Sequence, residues 1–151
     1  MGLFAAGSRI TADKLNGRTL LLRQQTGAVI PNNVETKLAW STVERNDGFD
    51  FLAGGDTVVI PFDGIYVVSA CVRYATNATG HRRISLYLNS TLYADQATPA
   101  ISSTQTPVSA SFQMEMFAGN TIDCRVTQSS GGNLGIAATS RTPNLIVCKI
   151  A

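Results

Sequence analysis

Charged side chains are scarce in this sequence. Asp, Glu, Lys and Arg make up 15% of its 151 residues, whereas about 25% is typical of soluble domains. The 12 basic and 10 acidic residues leave a formal net charge of +2. This balance argues against a chain that binds nucleic acid through a broad basic surface. The hydrophobic content of 44% argues against intrinsic disorder. We therefore expect one globular domain with a weakly charged surface and no nucleic-acid partner.

Paired cysteines and long apolar runs are also missing. The three cysteines, Cys71, Cys124 and Cys148, are far apart and none belongs to a CxxC pair. This spacing argues against a disulfide framework and against a zinc site, and each cysteine reads as a small buried hydrophobe. No run approaches the roughly 18 apolar residues of a membrane span. The first nine residues lack the pattern of a signal peptide. We expect neither a leader nor membrane insertion.

Residues that carry catalysis are equally rare. His81 is the only histidine, and it lies in a polar stretch with no nucleophile or acid beside it. A Ser-His-Asp or Cys-His catalyst would need this residue, and a solvated loop histidine is the simpler interpretation. The carboxylates are scattered, with no spacing typical of a metal site. We expect no enzyme, no cofactor and no metal.

Neutral polar residues and short alternating apolar runs replace the missing charges. Residues 108–116 alternate apolar and polar side chains over nine positions, which is typical of a strand with one buried face. Similar short runs are separated by turn residues, which predicts an all-β sandwich or barrel. The predicted strands are 36–43, 49–52, 57–60, 65–75, 83–92, 108–116, 122–127 and 145–151. In strand 65–75 both faces are largely apolar, so it is either covered on both sides or part of an oligomer interface.

The first 35 residues have a different pattern. Residues 11–17 predict one or two helical turns, with Thr11 as N-cap and Gly17 as a stop. The apolar pieces that follow are too short to bury themselves. This segment is expected to pack on the following domain, on a neighbouring subunit or on a larger assembly. We therefore divide the chain into a docking segment (1–35) and a β domain (36–151). The candidate docking residues are Ile10, Leu15, Leu20 and Leu22.

The β domain resembles the C1q/tumour-necrosis-factor jelly roll. The resemblance is carried by residues 49–51 (FDF), 59–61 (VIP) and 63–69 (DGIYVVS). They are similar to three successive features of that family: a strand with aromatic residues, a proline, and a Gly-hydrophobic-Tyr-x-hydrophobic-Ser motif at the start of the long central strand. Residues 112–122 resemble its later strand–turn–strand, with Asn120 where the family usually has Asp. The resemblance covers residues 36–151. It implies a jelly-roll β-sandwich of about eight to ten antiparallel strands, preceded here by a short helical or extended docking segment.

The same resemblance implies a homotrimer. In that family the sheet that contains the long central strand and the last strand packs around a three-fold axis. The residues expected in the core or at that axis are Trp40, Tyr66, Val68, Tyr74, Phe112 and Ile146. Because some C1q-like domains bind calcium through loop carboxylates, the resemblance also implies a loop calcium ion at Asp47 or Asp56 as an alternative to the absence of a metal.

The N-terminus carries a second resemblance. Residues 7–16 (GSRITADKLN) are similar to the opening of small virion proteins of tailed bacteriophages. This implies a non-enzymatic structural protein of the virion, attached through residues 1–35 to other virion proteins. A minor tail, tail-tip or fibre component that contacts the host surface is the leading interpretation. Capsid decoration, in which the protein coats or cements the head, is an alternative. A free glycan- or protein-binding module is a further one.

Three polar loops, 76–82, 98–106 and 129–141, are candidates for recognition of a host glycan or protein. Recognition residues concentrate on loops that a rigid sandwich holds in place. Simple solvation of each loop is the alternative. The candidate recognition residues are Asn77, His81, Arg82, Gln105 and Asn133.

Overall fold

The computed structural model describes residues 17–25, 27–139 and 141–151. Among them the structure has twelve β-strands and no helix. They are β1 (Arg18–Arg23), β2 (Val29–Ile30), β3 (Thr36–Lys37), β4 (Thr42–Asn46), β5 (Thr57–Val59), β6 (Gly64–Tyr74), β7 (His81–Leu88), β8 (Thr91–Pro99), β9 (Thr106–Met116), β10 (Thr121–Gln128), β11 (Leu134–Gly135) and β12 (Asn144–Lys149). The all-β prediction is confirmed.

Ten of these strands form two sheets that face each other. The first sheet has the order β4-β1-β12-β6-β9, and the second has the order β3-β10-β7-β8, with β5 also paired to β10. All of these pairs are antiparallel. The short strands β2 and β11 form a separate two-stranded ribbon. Sheet neighbours are mostly distant in sequence, so the chain crosses repeatedly between the two sheets.

The core lies between the two sheets and follows from the alternation of side chains along each strand. In β6 the inward positions run from Tyr66 to Tyr74 at every second residue, and all of them are fully buried. Val68 on this face pairs with Phe112 of β9 and Val147 of β12, so the inward faces of neighbouring strands are in register. Trp40 covers part of the same core and is also fully buried. Of the residues expected in the core or at the axis, Trp40, Tyr66, Val68 and Tyr74 are fully buried within the single chain.

The predicted boundary between a docking segment (1–35) and a β domain (36–151) does not agree with the structure. Strand β1 lies between β4 and β12 in the middle of the first sheet, and Leu20 and Leu22 are completely buried in the core. They were expected to serve docking, but they are core residues because β1 supplies an inward face of its own. Ile10, Leu15 and residues 11–16 of the expected helical turns lie outside the described residues.

Three strand predictions also need correction. Predicted strand 36–43 is two short strands, β3 and β4, because the chain leaves the second sheet and joins the first around the buried Trp40. Residues 49–52 are not a strand, although Phe49 and Phe51 are buried. Strand β8 was not predicted as a separate strand: its first two residues were joined to predicted strand 83–92 and its last residues were assigned to a loop. It is an edge strand whose residues are almost all exposed, so it lacks the apolar alternation that would reveal it.

The strand directions place the chain termini at one end of the sandwich and most long loops at the other. Arg18 of β1 pairs with Lys149 of β12, and Ile65 donates its N–H to the carbonyl of Ala151. We call this the terminal end. The opposite end, which we call the loop end, carries residues 75–80, 100–105 and 129–143. No helix of the described residues is long and apolar enough to cross a membrane.

Candidate functional site

The loop end brings together polar segments that are far apart in sequence. Ala100 donates its N–H to the carbonyl of Gly80, and Ser129 and His81 are joined by two hydrogen bonds. The three predicted recognition loops therefore meet at one end of the sandwich. Asn77, His81, Gln105 and Asn133 all lie in these segments, and His81 and Asn133 are exposed.

Arg82 is not a surface recognition residue, because it is fully buried. Its guanidinium donates to the carbonyls of Thr79 (2.9 Å), His81 (3.0 Å) and Asn77 (3.0 Å). Burial lowers the pKa of this guanidinium, while the nearby Tyr74 acts in the opposite direction. Because these three hydrogen bonds go to backbone carbonyls, Arg82 fixes the backbone of the loop between β6 and β7 from the interior of the sandwich.

Two further buried polar side chains hold the other loops. Gln128 is 1% exposed. Its amide donates to the carbonyls of Ile30 (2.9 Å) and Gly132 (2.7 Å) and accepts from Ser130 N–H (2.6 Å). Thr106 is fully buried, and its hydroxyl accepts the N–H of Ile101 at 3.0 Å. Buried polar groups need partners, and here every partner is a backbone group, in a loop or, for Ile30, at the end of the short strand β2.

A close approach of two backbones completes this support. Gly80 has φ of +75°, and a Cβ at this position would overlap the carbonyl oxygen of Ser129. Beside it, the hydroxyl of Tyr74 lies 2.6 Å from the carbonyl of Arg83 and 2.9 Å from that of Thr127. Burial raises the pKa of Tyr74, so this hydroxyl remains a donor over a wide pH range.

Long polar loops whose backbones are hydrogen-bonded to buried side chains form a preorganised surface. Ordering such loops on binding would otherwise cost conformational entropy, and here the fold has already supplied that order. The sequence predicted the loops but not their support. Arg82 was assigned to the surface, and Thr106 and Gln128 were not singled out, because a buried polar residue at a strand end has no pattern of its own.

We expect Gln128→Leu to destabilise the loop end. The substitution removes three hydrogen bonds, of which only the one to Gly132 is backed by a second donor, the Ser130 hydroxyl at 3.0 Å, and we expect it to cost about 2 kcal/mol of unfolding free energy. Urea denaturation measures this loss, and hydrogen exchange should accelerate in residues 129–132. Gln96→Leu is the control, because Gln96 is exposed and makes only one long contact, 3.4 Å from Ser109 N. Equal losses in the two variants would contradict the supporting role of Gln128.

The carboxylates weighed for calcium have protein partners. Asp47 accepts from Thr19 N–H and from Arg45, whose hydrogen bond holds the pKa of this carboxyl below its usual value. Asp56 accepts from the hydroxyl of Thr57 at 2.7 Å. Across the part of the chain that the structure describes, no group of three or more His, Cys, Asp or Glu side chains is placed to hold a metal ion.

A second candidate surface is the outward face of the first sheet. Ile146 lies there, half-buried, in a row with Leu21 of β1 and Ser69 of β6. Phe112 instead lies on the inward face at the edge strand β9, where its ring centroid is 5.6 Å from that of Tyr93 of β8. These two residues therefore occupy different surfaces.

Comparison with known proteins addresses the fold. No family model matches the chain, and no curated protein matches its sequence. Among solved structures, murine APRIL at pH 5.0 is similar, with a TM-score of 0.68 at 14% identity over 89% of this chain and 99% of the APRIL chain. Eiger TNF from S. frugiperda has a TM-score of 0.62 at 13% identity, over 89% of this chain and 92% of that one. The chain has the TNF-like jelly-roll fold.

This jelly roll confirms the fold that the sequence resemblance implied. The long strand β6 and the last strand β12 are neighbours in the first sheet, as the resemblance to the C1q/TNF family required. The similarity to APRIL and Eiger covers 89% of this chain, which is more than residues 36–151 alone could supply, and β1 belongs to the first sheet. The jelly roll therefore begins before residue 36.

Proposed function

We propose that this protein is a non-enzymatic structural module of a tailed-phage virion, assembled as a homotrimer. It is attached through its N-terminal residues and displays the loop end outward. The most favoured position is the tail, as a minor tail, tail-tip or fibre component in contact with the host surface. The observation that carries the trimer is the uncharged centre of the outward face of the first sheet.

The outward face of the first sheet has an apolar centre and charges at its margins. Charged Arg23, Arg45, Arg73 and Glu115 lie toward its ends or edges. The central outward positions on β1, β6 and β12 are half-buried in the single chain and carry no charge; they are Thr19, Leu21, Ile65, Val67, Ser69, Cys71, Ile146 and Cys148. A sheet face of this composition is typical of a surface that is covered in an assembly.

A second apolar surface, which could pack against the outward face of the first sheet in a neighbouring subunit, lies at the open edge between β8 and β9. There Leu92 is 41% exposed and Tyr93 47% exposed, and Phe112 and Met114 are only partly buried. The two apolar surfaces are different parts of the chain, so packing one on the other is head-to-tail. Head-to-tail contacts close into a ring when the rotation permits, which favours a cyclic trimer over a two-fold dimer.

The polarity of the fold supports attachment at one end and display at the other. Residue 17 precedes β1 at the terminal end, whereas the preorganised loops lie at the loop end. Attachment of residues 1–16 to a particle would therefore direct the loops away from it. The resemblance of residues 7–16 to phage virion proteins is the basis for assigning that particle to a tailed phage.

The assembly is tested by light scattering on the full chain at micromolar concentration. We expect a mass of three times 16.0 kDa. A monomer or a two-fold dimer would refute the proposed assembly.

The location is tested on phage particles. Deletion of residues 1–16 is expected to abolish incorporation and to leave a folded trimer, because β1 is retained. Incorporation of the deleted form would refute the docking role. Electron microscopy of labelled particles then distinguishes the tail from the head, and density on the capsid would favour the decoration alternative. Absence from particles would favour a free binding module.

A further inference from the structure

A small cleft at the loop end lies near two arginines, Arg73 and Arg141, that form no ion pair with any residue the structure describes. The cleft has a volume of about 270 Å³ and is lined by Arg23, Gln25, Glu44, Ala138 and Thr139. Its lining comes from three separate segments: the end of β1 with the residues just after it, β4, and the loop before β12. This cleft lies where the outward face of the first sheet meets the loop end.

The backbones of Arg73 and Arg141 lie next to the loop segment that lines this cleft. Ala137 donates its N–H to the carbonyl of Arg73 at 2.7 Å, so the backbone of Arg73 is paired with the residue that precedes Ala138 of the cleft lining. Arg141 follows Thr139 by two residues, and its carbonyl accepts from the Asn144 amide at 2.7 Å. Both side chains are exposed.

Acidic residues are nearly absent from this end. Segments 75–80, 100–105 and 129–143 contain no Asp or Glu. Among the described residues that line the cleft, Glu44 is the one acid, and it is paired with Arg23 at 2.8 Å. Within the described chain, neither Arg73 nor Arg141 forms an ion pair, so their two charges are uncompensated.

The arginines on the second sheet, unlike Arg73 and Arg141, are paired with acidic side chains. Arg125 pairs with Asp123 at 2.6 Å and with Glu35 at 3.2 Å, and Arg83 pairs with Asp95 at 2.7 Å. These arginines of the second sheet have acidic partners, while the side chains of Arg73 and Arg141 are exposed to solvent. An uncompensated pair of arginines on a held loop surface favours an anionic ligand, because a guanidinium binds a carboxylate through two parallel hydrogen bonds.

We propose that the loop end binds an acidic polysaccharide, with one carboxylated sugar residue in this cleft. The volume lies just below the usual range for small-molecule pockets, about 300–1,000 Å³, which suits a single sugar unit with the polymer extending across the loops. Gln25, Glu44 and Thr139 supply donors and acceptors for sugar hydroxyls. Arg73 and Arg141 supply the charge that selects an acidic unit. This inference rests on the proposed display of the loop end toward a host surface.

The test is binding of the full-length protein to immobilised polygalacturonate, with neutral dextran and single-stranded DNA as parallel probes. We expect binding to polygalacturonate that weakens with added salt, and none to dextran. The double substitution Arg73→Gln/Arg141→Gln should reduce affinity by at least about tenfold. Lys37→Gln/Arg45→Gln removes the same formal charge away from the loop end and should leave binding nearly unchanged.

Two further variants separate the cleft from its surroundings. Glu44→Gln removes the acid of the cleft and should strengthen binding to polygalacturonate. Ala138→Trp fills the cleft without a change of charge, at an exposed position, and should abolish binding. Undiminished binding by Ala138→Trp would overturn the assignment to the cleft.

Other outcomes overturn the proposal itself. An equal loss in the Lys37/Arg45 control would show a general charge effect, and equally tight binding of single-stranded DNA would show that the sugar is not recognised. A protein that forms trimers and enters particles but binds no acidic polysaccharide would refute this inference alone. A monomeric protein that binds polygalacturonate would refute the trimer and leave the cleft standing.

Discussion

Val67→Lys is expected to convert the trimer into folded monomers. Val67 lies at the centre of the outward face of the first sheet, opposite Gln113 of β9 and Cys148 of β12. In a separate subunit the long lysine side chain can reach water from this half-buried position, so the fold should survive. In the trimer its ammonium would be buried without a partner, which costs several kcal/mol. The dissociation constant should rise by about a thousandfold or more.

The matched control for Val67→Lys is the same substitution at Val59. That residue is 41% exposed and belongs to β5 of the second sheet, away from both proposed contact surfaces. Sedimentation at micromolar concentration should show trimers for Val59→Lys and monomers for Val67→Lys, with similar circular dichroism for both. A trimer that tolerates Val67→Lys would show that this face is not the interface.

Gly80→Ala is expected to cause the largest loss of stability among substitutions at the loop end. The methyl group would overlap the backbone carbonyl of Ser129, and the φ of +75° is one that side chains rarely adopt. Because the obstacle is backbone, the contact between the two loops must open. We expect a loss of about 3 kcal/mol in unfolding free energy, measured by urea denaturation at one fixed protein concentration.

Gly119→Ala separates the two causes of that loss. Gly119 has a φ of +89°, and nothing lies within 4 Å of the position that a Cβ would take. This variant carries the conformational strain without the overlap and should lose only about 1 kcal/mol. Equal losses in the two variants would show that the approach of residue 80 to Ser129 contributes nothing to stability.

The fold was predictable from the sequence wherever burial alternates along a strand. Strands β6, β9 and β10 each bury every second residue or nearly so, and their sequences show this directly. Strand β8 was missed because an exposed edge strand has no such pattern. Strand β1 was assigned to a docking segment because its three leucines are consecutive, and only its neighbours β4 and β12 determine which of them face inward.

The candidate site was predictable in part. Polar loops are visible in sequence, and their meeting at one end follows from strand directions that the sequence does not specify. Arg82 shows the difficulty: a loop-flanking arginine is usually exposed, but the inward alternation of β7 buries this one. Arg73 belongs to the outward face of a strand and was not singled out, because its neighbour Ala137 is distant in sequence and is joined to it only by the fold.

The position of β1 has a mechanical consequence for a protein attached by its N-terminal residues. Tension on residue 16 would enter the fold at Arg18 and act along the strand. Because β1 is hydrogen-bonded on both sides, to β12 over six residue pairs and to β4, the pull would load these bonds in parallel and in shear rather than one after another. The strand that was assigned to a docking segment is thus the element through which force would pass into the whole sandwich.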